Sequence, residues 1–241
     1  MIEITPLASS SAGNCIFVSD GVTNLLFDAG IKGKKLRELL FNSSLKLSDL
    51  NACLCTHNHQ DHSKGLADLS AAGIDCYLLR STREKLGLSG HRFHDIEYRK
   101  QFQIGSFNIV PFFLDHSDTD GTPVPNCGFL VQSGTEKVVY ITDTKFCRYK
   151  FPGLTHIIIE CNYDLTVLQR NVDEGLDIEQ KKRLLESHFG LENVLEFLRV
   201  NDVSKLREIH LVHLSDRNSD EKKMKREVAA LTGVPVYVTK K

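Results

Sequence analysis

Three histidines and one aspartate lie within six residues, in the segment Thr56-His57-Asn58-His59-Gln60-Asp61-His62. Neutral imidazoles and a carboxylate are the ligands that Zn²⁺ and related divalent ions prefer. The spacing allows His57 and His59 to converge on one ion, while Asp61 and His62, a turn later, face a second. Packing does not explain such a density of polar groups, because buried polar groups need partners. The segment therefore predicts a metal site.

The elements around this segment are predicted to be short strands and helices. Asn51–Thr56 is an apolar run typical of a buried strand, so the histidines begin where that strand ends. Gly, Asn, Asp and Ser separate further apolar runs, which indicates consecutive strands, and spaced leucines indicate a helix over Lys34–Phe41. Later strands are predicted at Ile74–Leu79, Phe107–Leu114, Cys127–Gln132, Lys137–Thr142, His156–Glu160, Ile209–His213 and Val234–Val238.

The C-terminal part is predicted to be mainly helical, with helices at Ile178–Ser187, Leu191–Val200 and Asp220–Leu231. The strands come in two groups, each followed by helices. This order predicts an α/β (α+β) protein in which two sheets pack together with helices outside. The sequence contains no repeat or linker, so we expect a single domain over residues 1–241.

The composition is ordinary for a globular protein, with 41% hydrophobic and 25% charged residues in 241. The net charge of -1 provides no global basic field, so a polyanionic partner must be held locally. We see no signal peptide and no run of about 20 apolar residues, and we expect a soluble, cytoplasmic protein without a membrane partner. The seven cysteines are expected to be reduced and mostly buried.

The HxHxDH arrangement resembles that of the metallo-β-lactamase superfamily. In that family the remaining ligands are a histidine, a bridging aspartate and a last histidine, each after a strand. The matching positions here are His116, Asp143 and His213. The resemblance implies a four-layer αββα sandwich, the metallo-β-lactamase-like fold. The implied ligand sets are His57, His59 and His116 for one ion, Asp61, His62 and His213 for the other, and Asp143 between them.

The resemblance also implies two divalent metal ions as cofactors. Zn²⁺ is the expected metal, and a His-rich site with a bridging carboxylate also accepts Mn²⁺ or Fe²⁺. Two ions about 3.5–4 Å apart can share a water and lower its pKa. The expected nucleophile is the resulting metal-bridging hydroxide, and the same ions can neutralise the oxygens of a phosphodiester.

Two further residues point to the nucleic-acid-processing branch of this superfamily, which includes tRNase Z and the β-CASP nucleases. In that branch an acidic residue after a strand orients a histidine near the scissile phosphate, and Glu160 and His188 match this order. Such a pair can protonate a leaving alkoxide. We therefore expect Glu160 and His188 to be catalytic, and we also expect a catalytic role for Asp61 of the histidine-rich motif. The alternative is a strand-end glutamate and a helix-terminal histidine in contact with solvent.

The segments 8–15, 26–30 and 211–215 are similar to those of the WalJ/YycJ-type proteins, exonuclease-like metallohydrolases implicated in DNA processing. The likeness extends from Ile4 to about Val238. Two positions depart from the expected pattern: Tyr163 stands where a histidine is expected, and Gly190 where serine or threonine is usual. The segment Ser9-Ser10-Ser11, together with Asn14, forms a seryl loop that is either a simple turn or a source of hydroxyl and amide groups for the site.

The leading hypothesis is a dinuclear metal-dependent phosphodiesterase or nuclease that acts on DNA, with 5′-to-3′ exonuclease action as one form. The first alternative is a metallohydrolase of a small molecule, such as a cyclic phosphodiester, a lactone or a thioester. The second is a catalytically idle metal-binding protein. Two basic clusters lie at Lys32, Lys34, Lys35 and Arg37 and at Lys222, Lys223, Lys225 and Arg226. Each is either a nucleic-acid contact or a solvated helix face.

Overall fold

In the computed structural model, which describes residues 1–239, thirteen strands form two sheets. The first sheet consists, in this order, of β1 (Glu3–Ser10), β2 (Gly13–Ser19), β3 (Asn24–Phe27), β4 (Ala52–Leu54), β5 (Asp75–Leu79) and β6 (Phe93–Ile96). Strands β1 to β3 are antiparallel neighbours, and β3 to β6 run parallel. The helices of this part are α1 (Gly33–Asn42), α2 (Gln60–Ser63), α3 (Leu66–Ala71) and α4 (Arg80–Lys85).

The second sheet has seven strands, which neighbour one another in chain order. They are β7 (Phe102–Ile104), β8 (Phe107–Leu114), β9 (Asn126–Ser133), β10 (Glu136–Ile141), β11 (His156–Glu160), β12 (Glu208–Val212) and β13 (Val236–Val238). Strands β10 to β13 are parallel, so residues that follow β10, β11 and β12 meet at one edge. The later helices are α5 (Leu165–Asp173), α6 (Ile178–Ser187), α7 (Leu191–Val200) and α8 (Glu221–Thr232).

The chain divides into two compact units. The first contains Met1–Phe113 and Phe129–Thr135, and the second contains Leu114–Gly128 and Glu136–Thr239. In the first unit α3 packs on β5, and α4 packs on β5 and β6. In the second unit α8 packs on α7 and β13, where Phe197 and Met224 are buried. The helices therefore cover sheet residues within each unit.

The structure confirms the predicted α/β class, with two sheets flanked by helices. Strands β8 and β11 and helices α6 and α7 have the predicted bounds. The main difference is β1, which extends through the seryl segment to Ser10. A register shift between Pro6 and Ala8 lets the strand continue, with Ser9 opposite Asn14 and Ser10 opposite Gly13. The polar residues predicted to form a loop are thus strand residues around a tight turn.

Sequence patterns did not predict α5, which begins after Asp164. The Asp164 carboxylate accepts hydrogen bonds from the backbone N–H groups of Thr166 and Val167 and caps this helix. All seven cysteines are buried, and none forms a disulfide bond within the described chain. Among residues 1–239, no helix has the length and apolar character needed to cross a bilayer.

Candidate metal centre

The histidine-rich segment begins just after β4 and continues into α2, which His59 precedes directly. His57 and His62 are fully buried. The ring centroid of His57 lies 4.6 Å from that of His59 and 4.4 Å from that of His62. Oδ2 of Asp61 lies 3.4 Å from Nε2 of His62. The first unit therefore gathers the four predicted ligands of the motif into one cluster.

A buried carboxylate, Asp28, orients two of these histidines. Its Oδ2 atom accepts a hydrogen bond of 2.7 Å from Nδ1 of His62. Its Oδ1 atom accepts bonds from the backbone N–H and the hydroxyl of Thr56, at 2.8 and 3.0 Å. The Thr56 hydroxyl also lies 2.9 Å from Nδ1 of His57. With Nδ1 engaged on both rings, Nε2 is the nitrogen suited to coordinate an ion, as in carboxylate–histidine–metal sites.

Asn14 and Gly30 hold Asp61, the carboxylate of the motif, in place. Nδ2 of Asn14 lies 3.3 Å from Oδ2 of Asp61 and 3.0 Å from Nε2 of His62. The backbone N–H of Gly30 donates to the carbonyl of Asn14 at 2.8 Å. A Cβ atom on Gly30 would lie 1.6 Å from the carbonyl oxygen of Asp61, so only glycine fits there. The Asn14 amide therefore reaches the histidine-rich motif, which favours the interpretation of this loop as a source of polar groups for the site.

In the second unit, the predicted site residues lie at strand ends. His116 follows β8, Asp143 follows β10, and His213 follows β12. Asp143, Glu160, His188 and His213 each offer a ligand atom, and these atoms lie within 4.8 Å of one another. Nε2 of His116 is 3.9 Å from Oδ2 of Asp143. The structure therefore brings together every site residue that the sequence predicts in this unit.

Glu160 is fully buried and binds two histidines through one oxygen. Its Oε1 atom accepts hydrogen bonds from Nδ1 of His188 at 2.6 Å and from Nδ1 of His213 at 2.8 Å. Its Oε2 atom accepts from the backbone N–H of Phe189 at 3.1 Å. Glu160 is therefore not in contact with solvent, as the alternative interpretation required, whereas the side chain of His188 is 20% exposed.

The electrostatics of this pair favour ionisation of both partners. Burial by itself would raise the pKa of Glu160, but the neighbouring His188 and the hydrogen bonds from both histidines bring that pKa below its ordinary range. Burial would likewise lower the pKa of His188, but the Glu160 carboxylate raises it above its ordinary value. The favoured state is a carboxylate beside an imidazolium, which is the form of histidine that can donate a proton.

Unusual backbone conformations coincide with these residues. Within residues 1–239, the non-glycine residues with a positive φ are Asp28, Ser44, Arg99, Asp143 and His213. Three of these five belong to the two clusters described above. Left-handed φ values are unfavourable for residues with a side chain, and they persist where the surroundings enforce them, as they do at functional sites.

The donors of both units fit divalent metal ions. Imidazole nitrogens and carboxylate oxygens are suitable ligands for Zn²⁺, Mn²⁺ and Fe²⁺, and hydrogen bonds at Nδ1 fix the ring orientations of His57, His62 and His213. Sequence reasoning missed the roles of Asp28 and Thr56. The available signal was an acidic residue directly after a buried strand, since Asp28 follows β3 in this way and lies two residues before Gly30.

Comparison with known proteins found a matching sequence family and two similar exodeoxyribonucleases. A sequence family described as the beta-lactamase superfamily domain matches residues 23–213. The exodeoxyribonuclease WalJ of Streptococcus pneumoniae is 28% identical over 227 residues, covering 88% of this chain and 81% of its own. The exodeoxyribonuclease YycJ of Bacillus anthracis is 26% identical over 236 residues, covering 91% and 85%.

A solved structure has a similar fold. The metallo-β-lactamase fold protein YhfI of Bacillus subtilis aligns with a TM-score of 0.71 at 16% identity, over 100% of this chain and 97% of that one. The family match extends over well more than half of the sequence. The chain therefore belongs to the beta-lactamase superfamily and is a metal-dependent hydrolase, as the resemblance implied. Its histidines and aspartates are a donor set suited to a dinuclear metal site.

Proposed function

We propose that the protein is a metal-dependent phosphodiesterase that degrades DNA as a 5′-to-3′ exonuclease. The observation that carries the proposal is the buried Glu160 carboxylate, which accepts hydrogen bonds from both His188 and His213. This arrangement links a histidine of the proposed ligand set to a second histidine that can act as an acid. The names of the relatives WalJ and YycJ support DNA as the substrate.

The proposed cofactors are two divalent metal ions. Zn²⁺ is the proposed metal, and the same donors accept Mn²⁺ or Fe²⁺. A bound pair of divalent ions would supply a nucleophile at neutral pH and neutralise charge on the phosphate. The proposed ligand set is His57, His59 and His116 for one ion, Asp61, His62 and His213 for the other, and Asp143 for both.

The residues of the chain would supply the remaining steps. His188 donates the proton from Nε2 to the leaving oxygen as its bond to phosphorus breaks, and Glu160 fixes the tautomer through Nδ1. A carboxylate partner also stabilises the imidazolium before it gives up its proton. Asp61 is proposed both as a metal ligand and as a catalytic residue. The side-chain amide of Asn14 holds its carboxylate in place.

We extend the proposal to organisation and location. The two units would act as one hydrolase domain over residues 1–241, of which residues 240 and 241 lie outside the described part; the family match from 23 to 213 supports this. Seven buried cysteines without a disulfide fit a reducing compartment, which supports the cytoplasm as the location.

Purified protein loaded with Zn²⁺ or Mn²⁺ provides the test. It should hydrolyse bis-p-nitrophenyl phosphate and shorten single- and double-stranded DNA. Strands labelled at the 5′ end should release labelled mononucleotide at the earliest times, while strands labelled at the 3′ end should shorten progressively. Turnover of the dye ester without DNA cleavage would instead assign a small-molecule substrate. Absence of turnover with every metal would contradict an enzymatic role.

A further inference from the structure

The segment after Asp143 presents an aromatic side chain among basic ones. Phe146 is 56% exposed, and the side chains of Lys145, Arg148 and Lys150 are exposed as well. No acidic residue occurs between positions 143 and 160. An exposed aromatic ring among cations is typical of surfaces that bind single-stranded nucleic acids, because bases stack on the ring and phosphates lie beside the charges.

The backbone of this segment is anchored on both sides. Cys147 and Phe151 are buried. The side-chain amide of Asn193 donates to the carbonyl of Lys145 at 2.6 Å, and the backbone N–H of Phe151 donates to Oδ1 of Asn201 at 2.7 Å. The exposed side chains therefore project from a fixed backbone, which reduces the entropy that a ligand must remove on binding.

The two basic clusters noted in the sequence are less suited to this role. Nζ of Lys223 lies 2.5 Å from Oδ2 of the buried Asp164, so this lysine is engaged within the protein. At the start of α1, the backbone N–H of Gly33 donates to Oδ2 of Asp68 at 2.7 Å. That carboxylate occupies the place where the helix would bind a phosphate. Acidic residues of the chain thus already bind Lys223 in one cluster and the N-terminus of α1 in the other.

We propose that the segment Lys145–Lys150 binds the single-stranded end of the DNA substrate, with one base stacked on Phe146 and phosphates beside Arg148 and Lys150. The inference rests on the proposed function, and it adds the element that holds the strand. The segment begins two residues after Asp143, so a strand bound there lies next to a proposed metal ligand. Lys145 takes a smaller part, because its Nζ atom lies 3.2 Å from Oδ2 of Asp115.

The test measures DNA binding to the metal-loaded protein. The probe is a fluorescent single strand of about 12 nucleotides with phosphorothioate linkages, which resist cleavage, and the readout is fluorescence anisotropy. Phe146→Ala should weaken binding on the order of 5- to 100-fold, the contribution of one base–aromatic stack. The matched control is Phe41→Ala, since Phe41 is 78% exposed on the basic helix α1, and it should leave binding unchanged.

Two further measurements separate stacking from general attraction. On an abasic strand, Phe146→Ala should bind as wild type does, because no base is present to stack. Replacement of Arg148 and Lys150 by glutamine should reduce the slope of log affinity against log salt by about 1.4, which is 0.7 for each lost phosphate contact. Thermal unfolding midpoints equal to wild type would confirm that these exposed substitutions leave the fold intact.

The outcomes distinguish this inference from the proposed function. If wild-type protein cleaves DNA and Phe146→Ala binds the intact strand as wild type does, the inference is overturned and the nuclease function stands. Equal weakening on intact and abasic strands would also overturn the stacking role. If the wild-type protein neither binds nor cleaves DNA with any metal, both proposals are wrong.

Discussion

The phenol ring of Tyr163 packs so closely on Gly190 that a Cβ atom at position 190 would lie 2.3 Å from Cε2 of Tyr163. The two residues also form an isolated parallel β-bridge. These are the two positions at which the sequence departs from the WalJ/YycJ-type pattern. The two positions are therefore coupled in this structure, because a side chain at 190 would force the Tyr163 ring to move.

Restoring serine at position 190 should destabilise the protein unless Tyr163 is changed as well. Gly190→Ser should lower the free energy of unfolding by about 1–3 kcal/mol, the usual effect of overpacking. Tyr163→His replaces the phenol by a shorter ring with no atoms at the Cζ and Oη positions and none as far out as Cε2, so serine should cost less in the double variant, where it can also cap α7. Urea unfolding of both single variants and the double variant measures the coupling. Additive effects would contradict it.

Asp28 should control metal affinity without binding the metal. Asp28→Asn keeps the shape of the side chain but replaces the carboxylate that accepts from His62 and Thr56. We expect Zn²⁺ affinity to fall about 10- to 100-fold, as for other carboxylates that orient ligand histidines. Competition with a chromogenic chelator measures it. Asp120→Asn, at an exposed site, is the matched control, and equal affinities of the two variants would show that Asp28 has no such role.

Asp143 should contribute to the binding of both proposed ions. Asp143→Ala removes the carboxylate whose Oδ1 atom lies 3.0 Å from Nδ1 of His213. The expected result is a lower metal content per chain, measured by elemental analysis after gel filtration. Asp118→Ala, in the turn that follows His116, serves as the control for loss of an aspartate nearby in the chain. Wild-type metal content in Asp143→Ala would exclude the bridging role.

His188 should matter most for poor leaving groups. Without the proton from His188, an alkoxide leaves slowly, whereas nitrophenolate needs little protonation. His188→Ala should therefore slow hydrolysis of an alkyl phosphodiester about 10²- to 10⁴-fold, and that of a nitrophenyl diester much less. The exposed His91→Ala should leave both rates unchanged. Equal losses on the two substrates would remove His188 from the role of acid.

Two buried histidines outside the site should make the fold sensitive to acid. Burial lowers the pKa of His156 and of His210, although Glu208 partly opposes the effect at both. The folded protein thus binds fewer protons than the unfolded chain below a pH of about 6.5. Their contribution to stability is complete above that pH and declines as the pH falls through it.

The measurement is the urea midpoint between pH 7.5 and pH 5. Glu136 and Arg207 also act electrostatically on His156, so the comparison must be between variants that retain both. In His156→Asn together with His210→Asn, the midpoint should depend less on pH over this range than in wild type. An unchanged slope would mean that the two histidines do not contribute.

The sequence alone determined the class of the protein and most of its proposed ligands. His57, His59, Asp61 and His62 lie within one short segment, and His116, Asp143 and His213 each follow an apolar strand. Local periodicity predicts where a strand ends, and parallel strands bring their ends to one edge. Ligands at strand ends can therefore be found from the order of residues.

Only the tertiary structure decided how these ligands are held. Asp28 binds His62 across 34 positions of sequence, and Glu160 binds His213 across 53. The left-handed backbone of Asp143 and the contact between Tyr163 and Gly190 are equally invisible in any local pattern. Such contacts depend on the register between strands and on the path of the loops after them. These are set by the packing of the whole sheet and not by the residues of one segment.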